Sequence, residues 1–471
     1  MNKFYVTTAI PYVNAKPHVG HALEFVQGDV IARYHRLLGE ETLYLSGADE
    51  NALKNVQAAE KAGKPIHAFI DEHNSEFQDL IKKLNVSIDV WQRGSDEEHH
   101  YVGSQKLWKL CEKDIYKKKY RGLYCVGCEQ FYERSELNEN GECFEHPGKK
   151  LDEVEEENYF FRLSAYKDRF LELITSDTLK VIPEFRKNEV INWLKGDVPD
   201  LSISRSNERA KNWGVPVSGD DSQRIYVWFD ALNIYQTGIG FGWNEEKYAK
   251  WWPADLHLIG KGITRFHAVY WPAFLLSAGL SLPKNILIHG YFTVNGQKMS
   301  KTLGNVLDPV DFINKYGADS LRYFFLAKTP LFDDGDFSEE KFKEAYNADL
   351  ANGLGNLVAR IAKLAEKIGY DGGNPILEIY PELDDFLKTF RVDYCLEFLW
   401  GKIKSIDQAI DQGQPWKLPE ADLKEFLFRV VPRVQRLAYN LQPFLPETAK
   451  KIQEQFMGKI RSTPPLFPRI S

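Results

Sequence analysis

No apolar run in this chain of 471 residues reaches the ~20 residues that a membrane-spanning helix needs, so no membrane partner is expected. The chain opens on a strand-like segment where a secreted protein would carry a basic and then apolar leader, which points to a cytoplasmic protein. Internal repeats and low-complexity tracts are also missing, which excludes solenoid and linker-rich architectures. Cysteine is scarce. There are five, an odd number in a chain without a leader, and that favours metal ligands and free thiols over disulfides. Excess positive charge is absent too: 60 Lys+Arg against 67 Asp+Glu gives −7, which argues against indiscriminate nucleic-acid binding. Residues 341–471 carry 19 Lys+Arg and 17 Asp+Glu, so the acidic excess lies upstream. An RNA partner would need local basic patches.

What is present is ample apolar material. At 43% apolar residues, with 11 Trp and 29 Phe, the chain can bury sizeable cores, and its length calls for about two to four domains. Residues 3–8 read as a buried strand. Residues 22–38 have apolar residues at helical spacing and stop at Gly39, and residues 42–45 read as a second strand. Strand, loop, helix and strand make the unit of a parallel sheet, which takes its ligand at the carboxyl edge beside the helix N-terminus. The loop there is Ala9-Ile10-Pro11-Tyr12-Val13-Asn14-Ala15-Lys16-Pro17-His18-Val19-Gly20-His21. Gly20 lets a nucleotide approach the backbone, and imidazoles three residues apart can both donate to phosphate oxygens. Alone, this stretch reads equally well as two ordinary histidines at a helix start.

A second stretch lies far downstream: Asn295-Gly296-Gln297-Lys298-Met299-Ser300-Lys301-Thr302. Alone it is a basic turn on a solvated loop. Together, in this order and at this separation, the two stretches resemble the His-x-Gly-His and Lys-Met-Ser-Lys signatures of class I aminoacyl-tRNA synthetases. Neighbouring residues narrow the resemblance to the methionyl-tRNA synthetase family, over essentially the whole chain.

The pattern along the chain divides it into five segments. Residues 1–114 and 223–295 read as two halves of a Rossmann-like, doubly wound parallel α/β sheet, resumed at residues 224–231 and continued by strands at 256–260 and 285–292. Residues 115–222 form the insertion that splits the sheet. It opens on Lys117, Lys118, Lys119 and Arg121 and carries Cys125-Val126-Gly127-Cys128 and Cys143-Phe144-Glu145-His146. Cys125, Cys128, Cys143 and His146 are enough to close one tetrahedral, structural Zn2+ site, and the family's zinc knuckle has this pattern; an empty knuckle is the alternative. Residues 296–346 hold the lysine loop and a stem-contacting link. Asp308 and Pro309 make a helix start there that Gly317 closes. Residues 347–471 lose strand character and read as an all-α helical bundle, to which the resemblance assigns anticodon binding.

The resemblance assigns roles residue by residue. His18, His21, Lys298 and Lys301 are the catalytic groups, and Asn14, Gly20, Gly260, His289 and Ser300 join them around ATP. Methionine would lie among Ile10, Tyr12, Trp228, Ala231, Tyr235, Ile263 and His267, with Asp49 on its ammonium group and Arg205 contacting Asp49. Aromatic walls suit a soft thioether, although each of these residues alone reads as core. Two departures stand out: Asn51-Ala52 replaces the family's usual His-Gly, and Gly262 stands where an aspartate is usual. Asn356, Arg360 and Trp416 would read a CAU anticodon by edge hydrogen bonds and stacking.

The activity implied is ATP-dependent formation of methionyl adenylate and transfer to the 3′ end of tRNA(Met). Attack at the α-phosphate asks the protein mainly to position and neutralise; magnesium bridges the phosphates without a dedicated protein cage. The insertion, about a hundred residues long, is too short for a separate editing domain. No appended dimerising domain is visible before Ser471, so a monomer is expected. The rivals are a ligase for another amino acid and a non-catalytic tRNA-binding protein on the same scaffold.

Overall fold

The computed structural model describes residues 2–125, 127, 130–132, 134–144, 148–294, 296–298 and 307–470, with the backbone alone at Gln130, Ser135 and Lys298. The chain divides into two compact units: residues 1–17, 40–79 and 88–289 form one, and residues 18–39, 80–87 and 290–471 the other.

A six-stranded parallel sheet is the frame of the first unit. Its strands are β1 (Lys3–Thr8), β2 (Glu41–Ala48), β3 (Val90–Arg93), β7 (Lys180–Ile182), β8 (Leu256–Gly260) and β9 (Asn285–His289), in the spatial order β3-β2-β1-β8-β9-β7. β1 sits centrally, paired with β2 on one side (Val6 opposite Tyr44) and with β8 on the other (Val6 opposite Leu256). Every residue of β8 is buried, His257 included, as in a strand covered on both faces. β7 comes from within residues 115–222 and pairs with β9, so the central sheet takes its edge strand from the stretch read as an insertion.

The other strands of that stretch pair antiparallel, and helices at Lys167–Thr175 and Glu184–Lys195 flank β7. β4 (Ile115–Cys125) pairs with β5 (Gln130–Tyr132) on one edge and β6 (Asp152–Phe161) on the other.

Residues 224–231 do not resume the central sheet. Asp220–Ile225 is a strand of a small antiparallel sheet, and Val227–Ala231 is a helical turn. Val227, Trp228 and Phe229 have strand-like chemistry, but all five residues of the turn are buried, so no alternation existed to separate strand from helix. The strand expected at 285–292 also breaks, at Gly290, where a Cβ would lie 2.0 Å from the Asp333 carbonyl oxygen.

The second unit contains α1 (Val19–Leu37), which begins three residues earlier than its apolar spacing predicts and ends before Gly39 at φ +80°. After Asp308 caps a helix over Pro309–Tyr316, the regular structure described in this unit is helical apart from the strand Gly335–Phe337. Long helices at Val392–Gly413 and Glu420–Leu441 form the C-terminal bundle. Among the described residues no helix is long and apolar enough to cross a membrane.

Candidate functional site

The start of α1 is built by its own histidines. His18 is the N-cap, and its Nδ1 accepts from the Gly20 amide at 3.1 Å; the Nδ1 of His21 accepts from the His18 amide at 3.2 Å. Each ring thus satisfies an amide left open at a helix start. Because a neutral imidazole has one donor and one acceptor, accepting at Nδ1 leaves the proton on Nε2 of both rings. The rings stack with centroids 3.8 Å apart, so the two Nε2–H groups form a paired donor edge at the positive end of a helix. The Val19 amide donates to the Leu307 carbonyl at 3.3 Å, which ties this helix start to the chain just beyond the lysine stretch.

Of that stretch, Gln297–Lys298 forms a short strand against Phe292–Val294. Gly296 turns the hairpin at φ +74°, and its amide donates to Asp336 Oδ1 at 2.7 Å, beside the Thr293 hydroxyl at 2.8 Å. Ser300 and Lys301 lie outside the described residues.

In the other unit, aromatic residues make a wall. Trp228 stacks on Phe266 with centroids 3.7 Å apart and meets Tyr12 edge-on at 6.2 Å. The Lys54 ammonium sits 3.0 Å from the Tyr12 ring centroid. Tyr235 donates to His267 Nε2 at 2.8 Å, and His267 Nδ1 donates to the Ile263 carbonyl at 3.0 Å. Behind them the Trp271 indole faces His257 Nε2 at 3.3 Å, while His257 Nδ1 meets the Thr7 hydroxyl at 2.6 Å. Burial drives His267 down to about 4 and His257 well below its ordinary value, so both rings are neutral at pH 7. Ala231 is buried beside Trp228, and Ile10 and Ile263 are partly buried and packed against the same cluster.

Asp49 is 2% exposed and follows β2 directly; its amide donates to the Pro11 carbonyl at 2.9 Å, and the residue pairs with Tyr12 as an isolated parallel bridge. It does not cap the next helix, whose N-cap is Ala52. Arg205 is buried; its guanidinium donates to the Ser202 hydroxyl at 3.0 Å and the Ser204 carbonyl at 2.7 Å, and lies 4.3 Å from the Tyr226 ring centroid. Gly260 closes β8 and His289 closes β9, both buried, while Asn14 sits half-buried in a bend of the loop after β1.

The sequence did not single out Phe266, Lys54 or His257. Phe266 adjoins His267 and carried a signal in that adjacency; the other two are brought in only by the fold.

In the helical bundle Trp416 is 49% exposed, with the Arg360 guanidinium 5.9 Å from its ring. Arg360 is held by Asp407 and Asp411 at 2.8 Å each, and Asn356 lies exposed one helical turn before it. In the insertion the sulfurs of Cys125 and Cys143 are 3.2 Å apart and buried. Cys128 and His146 lie outside the described residues, and among those described no metal-binding cluster of three His, Cys, Asp or Glu occurs.

A family model, tRNA synthetases class I (M), matches residues 4–362. The chain belongs to that family. Among curated relatives, the methionine--tRNA ligase of Thermotoga maritima is 40% identical over 96% of this chain and 74% of its own. That of Brucella suis is 40% identical over 96% of this chain and 91% of its own. Among solved structures, Mycobacterium tuberculosis methionyl-tRNA synthetase in complex with methionyl-adenylate superposes with a TM-score of 0.91 at 37% identity, covering 100% of both chains. The apo form of that enzyme gives 0.83 at 34% identity, over 100% of this chain and 99% of its own. The Rossmann-like class I fold is therefore shared along the whole chain.

Proposed function

We propose that this class I (M) synthetase is a methionine–tRNA ligase. The observation that carries the reading is the wall of Tyr12, Trp228 and Phe266 beside the neutral Tyr235–His267 pair. Such a wall offers packing and sulfur–ring contact to an unbranched thioether.

In the reaction proposed, a methionine carboxylate oxygen attacks the α-phosphorus of ATP, a new P–O bond forms, and the bond to pyrophosphate breaks. The ribose hydroxyl at the tRNA 3′ end would then attack the acyl carbon, its proton passing to the phosphate of the leaving group as AMP departs with the bonding pair. No general base is needed in the first step, because the carboxylate is already ionised. Asp49 would hold the ammonium group with Arg205 supporting it, and Ile10, Ala231 and Ile263 would complete the side-chain pocket. The Nε2–H groups of His18 and His21 would donate to phosphate oxygens, and Lys298 and Lys301 would close over them as mobile ammonium groups. Asn14, Gly20, Gly260, His289 and Ser300 would complete the nucleotide site. Magnesium, carried by the phosphates, supplies further neutralisation of charge.

A structural zinc ion is part of the reading. Two buried sulfurs 3.2 Å apart, with no disulfide between them, fit neighbouring corners of a thiolate site, whose ideal edge is roughly 3.8 Å for ~2.3 Å Zn–S bonds. Cys128 and His146 would supply the other corners. Four protein ligands leave no open position for water, so the ion would hold the knuckle together and take no part in the reaction. Asn356, Arg360 and Trp416 would read the anticodon. The five segments set out above would act as two catalytic halves, insertion, lysine-loop link and anticodon bundle, in a cytoplasmic monomer. Methionine-dependent exchange of pyrophosphate into ATP tests the ligase reading; exchange with methionine supports it, and exchange with another amino acid alone, or none, overturns it.

A further inference from the structure

We infer that a buried carboxylate, Asp230, fixes the span between the ammonium end and the thioether end of the methionine pocket. The inference rests on the ligase reading above and concerns how that site measures its substrate.

Asp230 lies between Trp228 and Ala231 and is 1% exposed. Its Oδ1 accepts from the Ser104 hydroxyl at 2.8 Å and from His100 Nε2 at 2.8 Å, and its Oδ2 accepts from Asn51 Nδ2 at 2.7 Å. Asn51 spends its other amide proton on the Gly94 carbonyl at 2.7 Å, and its Oδ1 accepts from the Tyr101 hydroxyl at 3.3 Å. Both partners of Nδ2 are pure acceptors, so the amide has one orientation. The His100 ring is wholly buried, and its Nδ1 meets the Thr237 hydroxyl at 2.8 Å. Within the cluster each donor faces an acceptor, and Asp230, His100, Ser104 and Thr237 are buried.

The two ends of this cluster give it a role beyond stability. Asn51 stands two residues after Asp49, on the turn proposed to hold the substrate ammonium. The same turn is pinned by Glu50, which accepts from Arg93 Nε at 2.8 Å and from the Ser95 hydroxyl at 2.6 Å. Gly94 packs so closely beneath it that a Cβ would lie 3.1 Å from the Ala48 oxygen and the Glu50 nitrogen. At the other end, the helical turn of Asp230 carries Trp228 and Ala231 themselves. One carboxylate thus clamps the Asp49 turn to the side-chain wall, and charge-assisted bonds hold that separation more stiffly than apolar contact does. Asn51 also explains the departure from the family's usual histidine. A neutral imidazole has a single N–H and cannot serve both the Gly94 carbonyl and Asp230, whereas a carboxamide can.

Asp230 and Asn51 are positioning residues, and the test must separate positioning from folding. Pyrophosphate exchange is measured for the wild type, Asn51→Ala and Asn51→Asp with methionine and with ethionine, one methylene longer, alongside thermal midpoints. Asn51→Ala is expected to raise the methionine KM about tenfold and to lower the preference for methionine over ethionine at least about fivefold, a fraction of the roughly 10–200-fold that one methylene is worth. The ATP KM and kcat should stay within about twofold, since only ground-state placement of methionine changes. Asn51→Asp sets two carboxylates face to face and should do worse, with partial recovery in Asn51→Asp/Asp230→Asn, where a donor again meets an acceptor. Should Asn51→Asp fail to fold, Asn51→Ala carries the test alone. An unchanged methionine KM, an unchanged methionine-to-ethionine ratio, or equal changes in methionine KM, ATP KM and kcat would overturn the inference. A wild type with no methionine-dependent exchange overturns the ligase reading and this inference with it; variant failures with an active wild type overturn this inference alone.

Discussion

The Tyr235 hydroxyl and His267 Nε2 are 2.8 Å apart, and the orientation of that bond is settled by the far side of the ring. His267 Nδ1 faces the Ile263 carbonyl oxygen, which can only accept, so Nδ1 carries the proton and Nε2 takes the phenol's hydrogen. Both ring nitrogens of His267 are used, and a second proton would displace the phenol.

This sets a pH dependence. Burial holds His267 at about 4, while in the unfolded chain it titrates near 6.5. Between those values the unfolded state binds more protons, so stability rises with pH through the window and is lost as the solution is acidified below about 6.5. His257, depressed further, adds in the same direction. Thermal midpoints measured from pH 7 to pH 4.5 should fall, and His267→Gln should remove part of the slope. An identical slope in the variant would contradict the neutral ring.

A second prediction concerns α1. Asp29 on this helix is fully buried against Arg322 at 2.8 Å, and Arg322 also donates to the carbonyls of Leu84, Pro443 and Phe444. Burial raises the Asp29 carboxyl, but Arg322 and Arg33 outweigh it and hold the group below the usual carboxylate range. Arg322→Ala strips this buried charge of its main partner and should cost about 3–5 kcal/mol in denaturant unfolding. Arg322→Met with Asp29→Leu removes both charges and should cost less than Arg322→Ala alone. A double variant worse than the single one would show that the pair matters through shape.

Zinc is the third. Metal analysis of the purified chain should find one zinc per molecule, and Cys143→Ser should lose it and open residues 115–161 to protease while the parallel sheet persists. Metal content unaffected by Cys143→Ser would refute the knuckle.

The anticodon assignment is the fourth. Base stacking on an exposed aromatic is worth ~1–3 kcal/mol, so Trp416→Ala should weaken tRNA charging by roughly 5–150-fold while leaving pyrophosphate exchange near the wild-type rate. Equal loss of both activities would contradict the division of labour between bundle and sheet.

Much of this was legible before any coordinate. β1 and β8 announced themselves as short, largely apolar or β-branched runs and α1 through its 3.6-residue spacing, and the Asp308–Pro309 start and Gly317 stop carried their own local chemistry. Trp228 to Ala231 did not, because a turn buried on every side has no period to read. The strand at Lys180–Ile182 was hidden by brevity: three residues carry too little pattern to join a sheet whose nearest partner, Asn285–His289, lies a hundred residues on. At the candidate site, Tyr12, Asp49, Tyr235 and His267 were named through the family resemblance, since each alone reads as core. Asp230 and His100 were not, since their bond joins residues 130 positions apart and exists only once the chain has folded.

The most direct test of the whole account is exchange of labelled pyrophosphate into ATP, run with each of the twenty amino acids in turn. The account predicts exchange with methionine well above all others, and its near loss when His18 and His21 are both changed to alanine. Exchange that favours a different amino acid, or that is indifferent to the two histidines, would contradict it.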